Sequence, residues 1–181
     1  MMNTTETENR CGLKRKDFQT TINGKNTDLY ILRNKQGNEV AVTNYGGAVL
    51  AIMVPDRNGN YANVIEGHDS IEHVVNSPEP YLSTLIGRYG NRICKGKFQL
   101  HGKEYSLALN NGANSLHGGN KGFNTKVWDA LQMNDQSVVM NYVSSYGEEG
   151  YSGELKVTVI YTFTDDNELL IHYEAVSDRD T

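Results

Sequence analysis

Apolar and polar residues alternate along much of this 181-residue chain, and turn residues separate the alternating runs. In the clearest run, residues 155–163, every second residue is apolar; a turn at residues 165–167 and a second run follow. Alternation with a period of two is typical of a strand with one buried face. The side chains predicted to share one core are Val157, Val159, Tyr161, Phe163, Leu169, Ile171 and Tyr173.

The same pattern recurs upstream. "GKFQLHGKEYSL" turns near Gly102, "VWDALQM" and "SVVMNYVSS" flank the turn "NDQ", and "EVAVTNYGG" precedes the apolar run "VLAIMVP". The only helical candidate is the short "DSIEHVV", with Asp69 or Ser70 as its N-cap. Many short strands with little helix predict an all-β fold, a sandwich or barrel of antiparallel strands.

Composition and charge indicate which part of the chain folds and which partners it lacks. Residues 1–16 are polar and are predicted to form a disordered leader, which leaves residues 17–181 as one β-domain. The formal charge of −5 argues against a nucleic-acid partner, and the basic cluster of residues 14–16 is interpreted as a solvated arm. No apolar run approaches the ~18 residues of a membrane span. With no signal pattern and only Cys11 and Cys94, we expect a cytoplasmic protein without membrane contact.

Most familiar chemical motifs are missing from the sequence. The five histidines lack metal-ligand spacing, which predicts no transition-metal site. "GRYGNR" lacks the third glycine of a dinucleotide-binding loop, and neither a phosphate-binding GxxxxGK[ST] nor a GxSxG elbow occurs.

His117, in "NSLHGG", stands apart from the other histidines. Gly118 and Gly119 remove two side chains beside the imidazole and would leave room for a ligand, while Asn114 and Ser115 are expected to hold the turn. If "GRYGNRI" is a strand, Arg88 and Arg92 share a face and Asn91 points the other way. A purely structural histidine in a turn, beside surface arginines, is the alternative.

Taken together, "IGRYGNRI", "NSLHGG.KGF", "VW" and "GEEGYSGELKVTVIYTFTDDNELLIHYEA" resemble the aldose 1-epimerase family, the galactose mutarotases, from about residue 17 onward. The resemblance implies a galactose-mutarotase-type β-sandwich. It also implies interconversion of the α and β anomers of aldohexoses such as galactose and glucose. A base takes the proton of the anomeric hydroxyl and an acid protonates the ring oxygen, so the ring opens and closes again without metal or cofactor.

The resemblance also implies roles for particular residues. Asn91 and Arg92 match the "NRI" asparagine and arginine, and in the family this arginine binds the sugar. His117 matches the "LHGG" histidine, which hydrogen-bonds the substrate near the reacting centre and supports catalysis. Arg88 belongs to the first motif but is assigned to structural support.

The chain departs from the family pattern in one respect. Family members continue, after a strand like "LLIHYEA", with a "TNHSYFNL"-type segment whose histidine donates the proton. An aspartate that binds sugar hydroxyls and a glutamate that acts as the base follow further downstream. No residue here matches any of these three, so a sandwich incomplete at its C-terminus is expected. The acidic residues of "GEEGYSGE", which are Glu148, Glu149 and Glu154, are interpreted as turn or rim residues.

Three hypotheses remain open at this point. The chain is an aldose 1-epimerase fragment that lacks the usual acid and base, or a sugar-binding β-sandwich module without catalysis. A protein acting on phosphorylated sugars is the third, although the sequence shows no basic cluster beside the motifs. The expected partners are an aldohexose and either a complementing C-terminal half or a second copy of the chain.

Overall fold

Antiparallel strands are the main regular elements of the computed structural model, which describes residues 9–181. The strands are β1 (Thr21–Ile22), β2 (Lys25–Asn26), β3 (Leu29–Arg33), β4 (Glu39–Thr43), β5 (Val49–Pro55), β6 (Tyr61–Asn63), β7 (Arg92–Cys94), β8 (Lys97–Leu100), β9 (Lys103–Ser106), β10 (Asn114–Leu116), β11 (Asp129–Asn134), β12 (Ser137–Ser144), β13 (Leu155–Phe163) and β14 (Leu169–Ser177). The helical elements are α1 (Ile71–Val75) and 3₁₀ turns at Arg15–Phe18, Phe123–Thr125 and Glu148–Gly150. None of the helices described is long and apolar enough to cross a bilayer. The cytoplasmic location stays a prediction.

Two four-stranded sheets face each other and enclose the main core. One has the order β3-β4-β5-β6 and the other β11-β12-β13-β14. Apolar side chains from both sheets meet between them, together with the almost fully buried Trp128. The core residues include Leu32, Val40, Val42, Val49, Val138, Met140, Val157, Val159, Tyr161 and Phe163. The all-β fold predicted from alternation is confirmed, and of the two alternatives, sandwich or barrel, the structure is the sandwich.

Strand β4 is buried along its whole length because both of its faces are covered. Val40 and Val42 face the opposite sheet, while Ala41 packs in a second core with Phe18 and Ile71. That second core lies under the N-terminal 3₁₀ turn and α1. The Ser70 hydroxyl accepts a hydrogen bond from the His73 amide at 3.4 Å, as expected for the predicted N-cap.

The prediction for β13 and β14 was right for one strand and wrong for most of the other. The strands pair over nine residues, with Val159 opposite Tyr173 and Tyr161 opposite Ile171. The apolar face of β13 is buried, but Ile171 and Tyr173 are 42% and 54% exposed. The reason is position, since β14 is the last strand of its sheet and only Leu169 reaches the core between the sheets.

The second half of the predicted leader, residues 9–16, contacts the sandwich. Residues 1–8 lie outside the described part of the chain, but the following segment is anchored to β4. The Arg10 amide donates to Glu39 Oε2 at 2.6 Å, and Glu39 is fully buried. Arg33 donates to the other carboxylate oxygen, so the buried charge is paired. This carboxylate therefore joins the N-terminal segment to the sandwich.

Candidate functional site

A short strand pair joins the two motifs singled out in the sequence. β7 and β10 are antiparallel, with Ser115 opposite Ile93 and Leu116 opposite Arg92. Because His117 directly follows β10 and Asn91 directly precedes β7, this register places the two residues side by side. Asn114 and Ser115 lie in β10. The Asn114 side chain accepts from the Lys95 amide and the Ser115 hydroxyl bonds to nothing among the described residues, so these side chains do not hold the His117 turn as expected. The turn itself starts at His117.

His117 and Asn91 are linked by two hydrogen bonds. The His117 amide donates to the Asn91 carbonyl at 3.0 Å, and the Asn91 amide donates to Nδ1 of the imidazole at 3.0 Å. A backbone amide can only donate, so Nδ1 must carry a lone pair. The neutral ring is therefore protonated on Nε2. His117, which is half-buried, can present Nε2–H as a hydrogen-bond donor.

Arg92 lies beside this pair with its guanidinium in solvent. Its Nε donates to Asn111 Oδ1 at 2.9 Å and its Nη1 donates to Asn91 Oδ1 at 3.3 Å. Asn91 does not point to the opposite face, as a continuous strand would require. Residues 88–91 are not a strand, and the φ angle of Asn91 is 66°, so the chain bends before β7. The structure thus brings Asn91, Arg92 and His117 together.

Arg88 points away from this cluster and into the protein. Its guanidinium donates to the carbonyls of Ser144, Ser145, Ser152 and Gly153 at 2.7 to 3.0 Å, and to the Ser144 hydroxyl at 2.9 Å. Burial lowers the pKa of Arg88, and the nearby Glu148 carboxylate opposes that shift. Arg88 therefore ties the "GRYGNR" loop to the ends of β12 and β13, which is the supporting role expected for it.

The glycine pair after His117 serves backbone packing. A Cβ on Gly118 would collide with the carbonyl oxygen of Gly87, and one on Gly119 would collide with the Glu149 carboxylate. The two glycines let the His117 turn lie directly against the "GRYGNR" loop and against residue 149. The expectation that they simply make room for a ligand misses this tight contact.

One aromatic ring contacts the cluster, whereas the Glu148 carboxylate bonds elsewhere. The rings of Tyr81 and His117 lie 4.6 Å apart at 58°, which supports one side of the imidazole. Glu148 accepts from Tyr142 at 2.6 Å and from Ser144 at 2.7 Å, so its carboxylate belongs to an internal network. The 3₁₀ turn at residues 148–150 agrees with the prediction of turn residues here.

Three of the other four histidines are paired with acidic residues elsewhere. His73 pairs with Asp69, His172 with Glu174, and His101 contacts Asp180 at the turn between β8 and β9. Within residues 9–181, no three His, Cys, Asp or Glu side chains are grouped so that they could hold a metal ion.

Three residues near the site were missed by the sequence interpretation, namely Tyr81, Asn110 and Asn111. Asn110 and Asn111 contact the His117 turn and Arg92 through side-chain amides. The adjacent "NNG" is a turn signal, and asparagine amides commonly bond to nearby backbone. That signal could have marked both asparagines, whereas nothing local to Tyr81 indicates its contact with a ring 36 positions later.

Comparisons with known proteins agree on one family. The family model described as aldose 1-epimerase matches residues 28–181. Galactose mutarotase of Bos taurus is 44% identical over 142 residues, which cover 78% of this chain and 41% of the relative. Aldose 1-epimerase of Escherichia coli (strain K12) is 34% identical over 151 residues, covering 83% and 43%. The chain thus spans less than half the length of these curated relatives.

Solved structures give the same result for the fold. The GalM/aldose epimerase homologue from C. elegans superposes with a TM-score of 0.80 at 28% identity, over 84% of this chain and 46% of that one. Galactose 1-epimerase from Lactobacillus acidophilus NCFM gives 0.78 at 28% identity, over 88% and 47%. In both cases the likeness extends over most of the sandwich described above.

Proposed function

The chain belongs to the aldose 1-epimerase family, and from this premise we propose that Asn91, Arg92 and His117 bind an aldohexose, galactose or glucose. The observation that carries the proposal is the arrangement of donors at the start of β7. The amide–Nδ1 bond leaves Nε2–H of His117 free to donate, and Arg92 exposes its guanidinium beside it. Sugar hydroxyl and ring oxygens are acceptors that such a pair can bind.

In this proposal His117 supports the reaction as a hydrogen-bond donor. Opening the ring shifts negative charge between the anomeric oxygen and the ring oxygen, and a fixed donor stabilises such charge. With Nδ1 occupied by the Asn91 amide, the neutral ring has no lone pair left to accept a substrate proton. A separate acid and base must therefore perform the proton transfers.

We propose that neither the acid nor the base is among the residues of this chain that match the family's motifs, which are Asn91, Arg92 and His117. General acid and general base each contribute about 10²–10⁴-fold to a rate. The 181-residue polypeptide is accordingly expected to bind sugar and to catalyse mutarotation weakly. The proposal invokes no metal and no organic cofactor, because proton transfer is all that ring opening requires.

The partner of the sandwich is proposed from the exposed edge of the second sheet. β14 is the last strand of that sheet, and four of its apolar residues are at least 42% exposed, namely Leu170, Ile171, Tyr173 and Val176. An open apolar edge favours pairing with another strand. The edge would accept either a complementing polypeptide or a second copy of the chain. Light scattering over a concentration series tests self-association, and a strictly monomeric chain would rule out the second copy.

A sugar titration tests the central proposal. Imidazole and guanidinium signals in ¹⁵N-labelled protein are followed as galactose or glucose is added, with the open-chain alcohol galactitol as control ligand. We expect the signals of His117 and Arg92 to shift with the two aldohexoses, while the signal of the distant His172 stays unchanged. Unchanged His117 and Arg92 signals at saturating sugar would refute the binding site.

Polarimetry separates a catalyst from a binding module. Fresh α-galactose is followed with the purified chain and with an equal concentration of free imidazole. If the chain binds sugar but mutarotation is no faster than with imidazole, the proposal that the acid and base are not among the matching residues is supported. A much faster rate, lost in His117→Ala, would show that this polypeptide contains a complete catalytic site and that the assignment of acid and base is wrong.

A further inference from the structure

The turn that carries His117 has an unusual backbone. Three successive residues have positive φ angles: 52° at His117, 91° at Gly118 and 111° at Gly119. Glycine adopts such angles readily, but a residue with a Cβ is strained there and stays only if its surroundings hold it. The position of the imidazole therefore depends on whatever restrains this turn.

Asn110 makes three hydrogen bonds to the turn. Its Nδ2 donates to the carbonyls of Leu116 at 2.9 Å and Gly119 at 2.8 Å, and its Oδ1 accepts from the Leu116 amide at 2.7 Å. The orientation of the side-chain amide is determined, since a carbonyl only accepts and a backbone amide only donates. One side chain thus connects the residue before His117 to the second residue after it.

Contacts on the far side of the turn complete the restraint. Glu149 Oε2 accepts from the Asn120 amide at 2.7 Å, just after the second glycine. Next to Asn110, Asn111 accepts from Arg92 Nε at 2.9 Å. Two adjacent asparagines therefore restrain the donors of the candidate site. Asn110 restrains His117 through the backbone of its turn, and Asn111 binds the Arg92 side chain directly.

We propose that Asn110 is a positioning residue for His117. By closing the turn across residues 116–119, it keeps the imidazole where Nδ1 meets the Asn91 amide and Nε2–H faces the sugar. The effect of Asn110 on sugar affinity rests on the proposed function of His117. The effect on the imidazole itself does not, so the two can be tested separately.

The test uses Asn110→Ala and Asn110→Asp in the 181-residue chain. Alanine removes all three bonds, while aspartate keeps the acceptor and loses both donations. Asn44 offers a matched control, because its Nδ2 donates to the carbonyls of Asn26 and Trp128 and its Oδ1 accepts from the Asp28 amide. Asn44→Ala removes the same set of bonds at a different turn.

The readouts are the ¹⁵N shifts of the His117 imidazole at the alkaline limit of a pH titration and the dissociation constant for galactose. We expect wild type to show the Nε2–H tautomer. Both Asn110 variants should show a mixture of tautomers and bind galactose about tenfold more weakly, the factor that corresponds to about 1.4 kcal/mol. Asn44→Ala should lower the melting temperature and leave the His117 shifts unchanged.

Two outcomes would overturn the proposal. One is a folded Asn110→Ala protein with the wild-type tautomer of His117; the other is an equal change of tautomer in Asn44→Ala, which would reduce the effect to general destabilisation. If wild type binds no galactose, the proposed sugar site fails and the tautomer comparison alone decides on Asn110. If Asn110→Ala does not fold, Asn110→Asp provides the same comparison.

Discussion

The sheet β11–β14 and the segment that carries the candidate site are built in opposite ways. The sheet is regular, and its strands pair residue by residue with few irregularities. The site segment has short strands, and its key residues Asn91, His117 and Gly118 all have positive φ angles. Side-chain amides and close backbone contacts hold that segment, whereas apolar burial holds the sheet.

This contrast separates stability from placement. Burial of apolar surface is non-directional and scales with area, so the sheet supplies free energy of folding. Hydrogen bonds contribute less net free energy but are directional, so the site segment fixes where donors point. Substitutions in the sheet should therefore change unfolding with little effect on the site. Substitutions in the site segment should change sugar binding more than stability.

The largest effect is expected in the sheet, at Phe163. Its side chain is 1% exposed in the core between the sheets, and Phe163→Ala should lower the free energy of unfolding by about 3–5 kcal/mol. Chemical denaturation measures this change. The exposed Lys156 on the same strand is the control, and Lys156→Ala should stay within about 0.5 kcal/mol. Comparable losses for the two variants would contradict the assigned faces of β13.

Gly118 is an exception to this contrast, because the site segment is tightly packed there and a substitution should also lower stability. Gly118→Ala adds backbone strain at φ 91° and a collision with the Gly87 carbonyl, so a loss of about 2–3 kcal/mol is expected. Gly102 has a φ of 77° but open space around it. Gly102→Ala should lose only the strain, about 1 kcal/mol. Equal melting temperatures for the two variants would show that the collision is relieved without cost.

Arg92 should show the opposite behaviour, with an effect on binding and little on folding. Its guanidinium is exposed, so we expect the lower end of the range for a charge-assisted hydrogen bond, about 1.5 kcal/mol or tenfold in galactose affinity. Titration of Arg92→Ala with galactose measures it. Lys103→Ala removes an exposed charge on β9 and serves as control. A loss of affinity shared by both variants would indicate a general charge effect.

Sequence reasoning succeeded where structure follows from local periodicity. Alternation indicated the buried face of β13, and the turn residues indicated the hairpins of β8–β9 and β11–β12. It failed to predict that most of β14 is exposed, because burial of a strand face depends on what packs against it and not on the strand itself. For the site, the residue types were visible, but the bend at Asn91 and the bonds of Asn110 depend on distant backbone.

The smallest effect is expected at Tyr173, which sharpens the comparison within the sheet itself. Tyr173 lies directly opposite the buried Val159 and continues the same alternation, yet it is 54% exposed. Tyr173→Ala should therefore lose only a cross-strand contact, less than about 1 kcal/mol, against about 3–5 kcal/mol for Phe163→Ala. Chemical denaturation at low protein concentration, where self-association is minimal, gives both values. A loss at Tyr173 as large as that at Phe163 would mean that β14 is covered in solution, because a side chain this exposed loses little more than its cross-strand contact.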